Sequence, residues 1–323
     1  MLPQNSRLNK LIIVEGMTGL GKSTLAHFIA RQLHYHDIEA AWIHEGELQH
    51  PLSLELDSGD IDRFMQTART KWLRFVSRIA RSKETIVLEA GFFNNLLETL
   101  FLQNVPSPKI YHYSDVLQDI IQPIQPALVY LTHSDIRKAL AESFTRRGAG
   151  FKDFVIKFAT TTPYAQHRSL AGYDGMIDFW VDFVTLTDQL YDRFRFKKIA
   201  LHKSSGNRET LNQQVLDFLA IPFVIEKQVT EAVVKEYVGT YKDQTNERRF
   251  DVRYRNHKLI ANLFLDDWTC LIPKTEDKFI AEGWHFVVHF DKDSSGEIAS
   301  IRIEGEDVDY LSLVGTVAKK VIS

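Results

Sequence analysis

The stretch Leu11-Ile12-Ile13-Val14-Glu15-Gly16-Met17-Thr18-Gly19-Leu20-Gly21-Lys22-Ser23-Thr24 decides how the first half of this chain is read. Its aliphatic run reads as a buried strand, and Gly16 to Ser23 match the strand–GxxxxGK[ST]–helix pattern. Leu25, Phe28, Ile29 and Leu33 then fall on one face of a helix. The chemistry behind the pattern is specific. Phosphates are held by several backbone N–H groups aimed at one spot, and glycines let the chain curl that tightly. The helix that begins near Lys22 adds the positive end of its dipole. Lys22 supplies a point charge for the β- and γ-phosphates, and the Ser23 hydroxyl is placed to ligate Mg²⁺. Gly16, Met17, Thr18, Gly19, Leu20, Gly21, Lys22, Ser23 and Thr24 are therefore the expected nucleotide-binding residues, with ATP and Mg²⁺ as expected cofactors. The bare pattern arises by chance in roughly one chain per hundred of this length, and the flanking strand and helix reduce that further.

Working outward, the chain up to about Ile221 alternates short apolar runs with longer helical patterns. The strand candidates are Leu11–Glu15, Ala40–His44, Ile86–Glu89, Ala127–Thr132 and Lys198–His202. Helical patterns cover Lys22–His36, Asp60–Ser82, Asn95–Gln103, Tyr113–Ile121, Ser134–Arg147, Met176–Phe194 and Glu209–Ala220. This rhythm predicts an α/β fold, a five-stranded parallel sheet flanked by helices, with ligands at the carboxyl ends of the strands. After Ile221-Pro222 the texture changes. Phe250, Val252 and Tyr254 share one strand face, as do Trp284, Phe286, Val288 and Phe290. Asn256-His257-Lys258 and Asp293-Ser294-Ser295-Gly296 are turn signals. A small antiparallel β-barrel or sandwich is expected there. The expected domains are residues 1–222 and 223–323.

Composition sets limits. The 323 residues are 44% hydrophobic and 25% charged, with a formal net charge of −3, so nothing draws the chain to nucleic acid or to an anionic membrane. The one cysteine, Cys270, excludes an internal disulfide, and its apolar neighbours suggest a buried, inert thiol. No apolar stretch approaches the length that spans a bilayer, and Leu11–Val14 is too short for a signal sequence. A cytoplasmic protein is expected, and a homo-oligomer is left open.

The first 220 residues resemble the nucleoside and nucleotide kinases, with the thymidylate kinase and deoxynucleoside kinase group nearest in shape. The resemblance rests on Val14-Glu15-Gly16 ahead of the glycine loop and on Pro126-Ala127-Leu128-Val129-Tyr130-Leu131. The latter leads through Asp135 to Thr145-Arg146-Arg147-Gly148. A third element is Ile199-Ala200-Leu201-His202-Lys203-Ser204-Ser205-Gly206 before a final helix. It implies a P-loop kinase that phosphorylates a small-molecule acceptor: a nucleoside, a nucleotide or another hydroxyl compound. Arg146 and Arg147 then suit a lid over the phosphates; the other reading is a solvated helix end favoured by the macrodipole.

Glu89 ends the third strand, where it could hold Mg²⁺ or accept the acceptor's hydroxyl proton. The thymidylate kinases carry Asp-Arg-Tyr there and this chain carries Glu89-Ala90-Gly91, so their arginine is missing. Glu45, after strand 2, and Arg69, twenty residues before Glu89, are the acceptor-binding candidates. Arg69 shares a helix with Arg63, Lys71, Arg74, Arg78 and Arg81, which is also what a solvated face looks like. A nucleotide-driven ATPase or switch acting on a macromolecule is the alternative reading. Residues 148–175 match no motif, and their aromatic and basic residues suit either a substrate-reading loop or structural filling. From about Glu226 onward the chain resembles the small β-domain appended to some β-lactamase-like serine hydrolases. The matching residues are Tyr237-Val238-Gly239-Thr240-Tyr241, Leu271-Ile272-Pro273 with Asp277-Lys278-Phe279, and His289-Phe290-Asp291. That resemblance implies no chemistry.

Overall fold

The computed structural model describes residues 9–56, 59–203, 207–226, 234–246, 248–264 and 267–321. They form two compact units. The first takes in the described residues up to Glu45, Gln49–Thr145 and Ala149–Val224. The second takes in Gly46–Leu48, Arg146–Gly148 and the residues from Ile225 onward.

The first unit is built on five parallel strands: β1 (Leu11–Gly16), β2 (Ala40–Ile43), β3 (Thr85–Glu89), β4 (Ala127–Thr132) and β5 (Lys197–His202). Their order is β2-β3-β1-β4-β5, so β1 is central. Val14 pairs with Glu89 on one side and Val129 on the other. β1, β3 and β4 are buried throughout, which explains their continuous apolar runs.

Helices cover the sheet. α1 is Lys22–His34, and α2 is Ile61–Arg81. The Asp60 side chain caps α2 by accepting from the Arg63 N–H at 3.0 Å. Phe64, Ala68, Trp72, Phe75, Val76 and Ile79 form its buried stripe, while Arg63, Arg69, Arg74, Arg78 and Arg81 are exposed. A wide π-type turn (Phe93–Leu97) leads into α3 (Glu98–Leu102), and α4 is Ser107–Ile121. α4 begins six residues earlier than its apolar pattern suggests, because Pro108 is tolerated in a first turn where no N–H bond is lost. α5 (Ile136–Thr160) runs past Gly148. That glycine breaks the helix at φ 81° and ψ 178°, but Phe151, Val155 and Ala159 resume the buried stripe beyond it.

α6 is Pro163–His167, α7 is Gly172–Arg193 and α8 is Arg208–Leu219. Residues 148–175 are thus largely helical. Tyr164 is buried against Phe101 at 4.0 Å between ring centroids, with its hydroxyl donating to Asp182 Oδ2 at 2.8 Å. This part of the segment is core filling.

The second unit is a closed barrel of eight antiparallel strands: β6 (Gly239–Asp243), β7 (Arg249–Arg255), β8 (Lys258–Phe264), β9 (Asp267–Pro273), β10 (Lys278–Ala281), β11 (Phe286–Lys292), β12 (Ile298–Gly305) and β13 (Val317–Lys320). The pairing of β13 with β6 closes it, which settles barrel over sandwich. Tyr237, Tyr241, Phe250, Phe279, Phe286 and Phe290 fill the interior. Both phenols are satisfied there, Tyr237 donating to the Glu276 carbonyl and Tyr241 to the Tyr237 carbonyl, each at 2.7 Å. Asn256 and His257, both in the left-handed region, make the β7–β8 turn. Cys270 is half-buried, contrary to the expectation of a buried thiol. Strand alternation turns its neighbour Leu271 inward and Cys270 to the outer face.

Gly305 ends β12 with φ 123°, and a Cβ there would lie 1.8 Å from the His285 carbonyl oxygen. Gly305→Ala should destabilise the barrel by about 1–3 kcal/mol. Urea unfolding followed by intrinsic fluorescence measures this, and an unchanged midpoint would show that the strand end relaxes freely.

Candidate active site

The loop between β1 and α1 owes its path to its glycines. Gly16 has φ 147°, and a Cβ there would lie 2.4 Å from the Leu131 carbonyl oxygen on β4. Gly19 has φ 79°, and its Cβ would meet Ser143 Oγ of α5 at 2.4 Å. No side chain caps α1, whose N-cap is Gly21 at φ 95°. The first turn of α1, which carries the N–H groups of Lys22, Ser23 and Thr24, contains no acidic residue of its own.

Around this loop the sheet gathers charge. Lys22 is buried, with Nζ 3.5 Å from Glu45 Oε2. Burial works against its charge, but the fields of Glu45, Glu89, Glu15 and Glu98 outweigh burial and hold the ammonium above its ordinary pKa. Ser23 Oγ donates to Glu89 Oε1 at 2.5 Å. The other oxygen, Glu89 Oε2, is buried without a hydrogen-bond partner, 3.9 Å from His44 Nε2. Burial first, and the Glu45 carboxylate second, push the Glu89 carboxyl well above the usual range, against the pull of Lys22 and Ser23. Burial also raises Glu98, whose Oε2 accepts from the Asn95 N–H at 3.2 Å. Lys203, after β5, donates to the Gly19 carbonyl at 3.4 Å.

The structure therefore brings Lys22, Ser23, Glu45 and Glu89 together, as their motif positions suggest. Arg69 is exposed on α2, and among the described residues the ion pairs and hydrogen bonds of the site given above do not include it. Arg146 is exposed and Arg147 half-buried, just before the Gly148 break in α5. Ser204, Ser205 and Gly206 lie outside the described residues. Four site residues were missed by the sequence reading: Glu15, His44, Glu98 and Lys203. Glu15 carried a signal, because a carboxylate inside an aliphatic strand run needs a buried partner. Glu98 had none, since its helix reads as an ordinary amphipathic one.

No protein-family model and no curated protein matches this chain. Among solved structures it is similar to a thymidylate kinase from Ehrlichia chaffeensis, at 14% identity and TM-score 0.36, over 65% of this chain and 97% of that one. It is similar to a shikimate kinase from Acinetobacter baumannii in complex with shikimate, at 14% identity and TM-score 0.36, over 65% and 92%. A deoxyadenosine kinase from M. mycoides with bound dATP gives 15% identity and TM-score 0.36, over 65% and 98%. Likeness at this level carries no inference about what this chain binds or transfers.

The buried carboxyls make a pH prediction. A carboxyl raised in the folded state stabilises the fold fully below its unfolded pKa, and that contribution is lost as pH rises through the folded value. For Glu15 the window runs from 4.5 to about 7. Glu89 and Glu98 shift in the same direction. The ligand-free protein should therefore lose thermal stability between about pH 5 and pH 8, and Glu89→Gln should flatten that loss. A wild-type melting temperature that rises over this range, with the same slope in the variant, would contradict the assignment.

Proposed function

We propose that this chain is an ATP- and Mg²⁺-dependent phosphotransferase that moves the γ-phosphoryl group of ATP to a hydroxyl-bearing small molecule. The observation that carries the reading is the 2.5 Å hydrogen bond from Ser23 Oγ to Glu89 Oε1. It joins the hydroxyl expected to ligate the metal to a carboxylate on the neighbouring strand, at the mouth of a phosphate loop. The orphaned Glu89 Oε2 suits a cation, and so does the hard oxygen chemistry of Ser23 and Glu89. Among the described residues no group of three or more His, Cys, Asp or Glu could hold a metal ion. Mg²⁺ would thus be held by Ser23, Glu89 and the nucleotide's own phosphates. Bound there, the metal supplies neutralisation of charge on the phosphate oxygens.

The chain's own residues do the rest. The loop's N–H groups and the α1 N-terminus orient the phosphates, and Lys22 stabilises charge on the transferring group. Phosphates entering the loop compete with Glu45 for Lys22, which leaves the Glu45 carboxylate to face the acceptor. The ionised Glu89 carboxylate, its proton affinity raised by burial, is suited to take the acceptor's hydroxyl proton. We assign Arg146 and Arg147, which follow Ser143 on α5 by three and four residues, to a lid, and Arg69 to the acceptor. Among the described residues no helix is long and apolar enough to cross a membrane, and the partner envisaged is a small molecule, not nucleic acid.

Lys22→Ala is expected to cut ATP turnover by about 10²–10³-fold or more while leaving the fold intact. Glu89→Gln, almost isosteric, should keep ATP affinity within about threefold and lower turnover steeply. The assay is ATP consumption over a panel of metabolites, with products identified by mass spectrometry. Full activity in a folded Lys22→Ala variant would sink the proposal. Stimulation only by a protein or nucleic acid, with no phosphorylated small product, would favour the switch.

We also propose that residues 1–222 and 223–323 are separate folding domains, since each unit encloses its own apolar cluster. A chain ending at Pro222 should unfold cooperatively and bind ATP. A fragment without a cooperative transition would show that the first core needs the barrel.

A further inference from the structure

Glu15 is the penultimate residue of β1, and the glycine-loop pattern does not require it. It is fully buried. Its Oε1 accepts from the N–H groups of Phe92 and Phe93 at 2.9 and 2.8 Å, and its Oε2 accepts from the Asn94 N–H at 3.2 Å. The Asn94 side chain closes the same junction. With its amide oriented to suit its neighbours, its nitrogen donates to Glu15 Oε2 at 2.7 Å and to the Gly16 carbonyl at 3.0 Å.

The segment so gripped is the exit from β3. It carries Glu89 at one end and Glu98 at the other, and it is bent into sparsely populated backbone. Ala90 lies at φ 59° and Asn95 at φ 65°, and Ala90 is fully buried. Each such residue is strained and persists only where its surroundings over-determine it. Within this segment the Ala90 N–H also donates to the Val14 carbonyl at 2.9 Å, and Asn95 N–H to Glu98. The strained exit is thus tied to β1 at the residue immediately before the phosphate loop.

We propose that Glu15 is a positioning residue that couples the two halves of the site. By gripping the N–H groups of residues 92–94 it makes the order of the β3 exit, and so the placement of Glu89, depend on the phosphate loop, so that nucleotide entering the loop tightens residues 90–95. The inference rests on the phosphotransferase reading, since it needs a nucleotide in the loop. Gln at this position can still accept at Oε1. It places an amide nitrogen against the Asn94 donors where Oε2 accepted, so the grip on Asn94, the residue that closes the junction, is lost at nearly constant volume while Phe92 and Phe93 keep their acceptor.

The test is hydrogen exchange of residues 90–95 in the full chain, with and without a non-hydrolysable ATP analogue and Mg²⁺, alongside a direct binding titration. In the wild type the analogue should slow exchange by about tenfold or more. In Glu15→Gln it should bind within about threefold of the wild-type affinity and slow exchange by less than about twofold. A merely structural role would raise baseline exchange in the variant and leave the nucleotide-dependent slowing intact; that result overturns the inference, as would a wild type that binds without slowing. Should Glu15→Gln fail to fold, Asn94→Ala decides by the same criterion. A wild type that does not bind the analogue defeats both the phosphotransferase reading and this coupling, and the titration distinguishes that failure from the others.

Discussion

The ammonium of Lys22 lies in the field of Glu15, Glu45, Glu89 and Glu98, and the crevice is arranged around the cost of burying those charges. Glu15 and Glu89 are wholly out of solvent and Glu98 nearly so. One cation cannot neutralise four carboxylates, and each buried charge left uncompensated is expensive. The structure meets that cost with donors. Glu15 takes three backbone N–H groups, Glu98 takes the Asn95 N–H, and Glu89 takes the Ser23 hydroxyl on one oxygen only. What is left over is the second oxygen of Glu89, which is where a metal ion would do most to relieve the imbalance.

The same electrostatics dictate the backbone. Donors can reach Glu15 only if the chain turns back sharply after β3, and Ala90 and Asn95 adopt left-handed conformations to make that turn. The loop itself must pass close enough to β4 for the Leu131 carbonyl to exclude any side chain at residue 16. Tight packing of backbone on backbone is what aims several N–H groups at one point. The large aromatic cluster behind α3, α6 and α7 supplies the rigid wall against which this can be held. It includes Phe101, whose ring meets Tyr164 and Phe183 at a tilt and Phe179 edge-on.

Much of this was legible because it depends on local pattern. Unbroken aliphatic runs marked β1, β3 and β4, since only a strand buried on both faces tolerates them. The glycines and Lys22-Ser23 marked the loop, because phosphate binding needs those residue types at that spacing. Helix limits were read less well at proline and glycine. The apolar pattern started α4 at Tyr113, whereas the helix begins at Ser107 with Pro108 in its first turn, and Gly148 looked like a terminus and is a kink within α5. Residues 148–175 suited either a substrate-reading loop or structural filling, because clustered aromatic and basic residues serve both, and helical spacing turns Tyr164 into the core.

What the amino-acid order determined by itself was the alternation of strands and helices, the change to a β-rich second half and the presence of a phosphate-binding loop. These follow from period, turn chemistry and a contiguous motif, all of which act over a few residues. Only the tertiary structure decided that Glu15 reaches residues 92–94, that His44 and Glu98 stand beside Glu89 and Lys22, and that Arg69 stays on the solvent face of α2. It also decided that the second half closes into a barrel, through the pairing of β13 with β6. Each of these joins residues far apart in the chain. Such contacts are set by which strands become neighbours and by how buried charges find donors, and neither leaves a mark in local spacing.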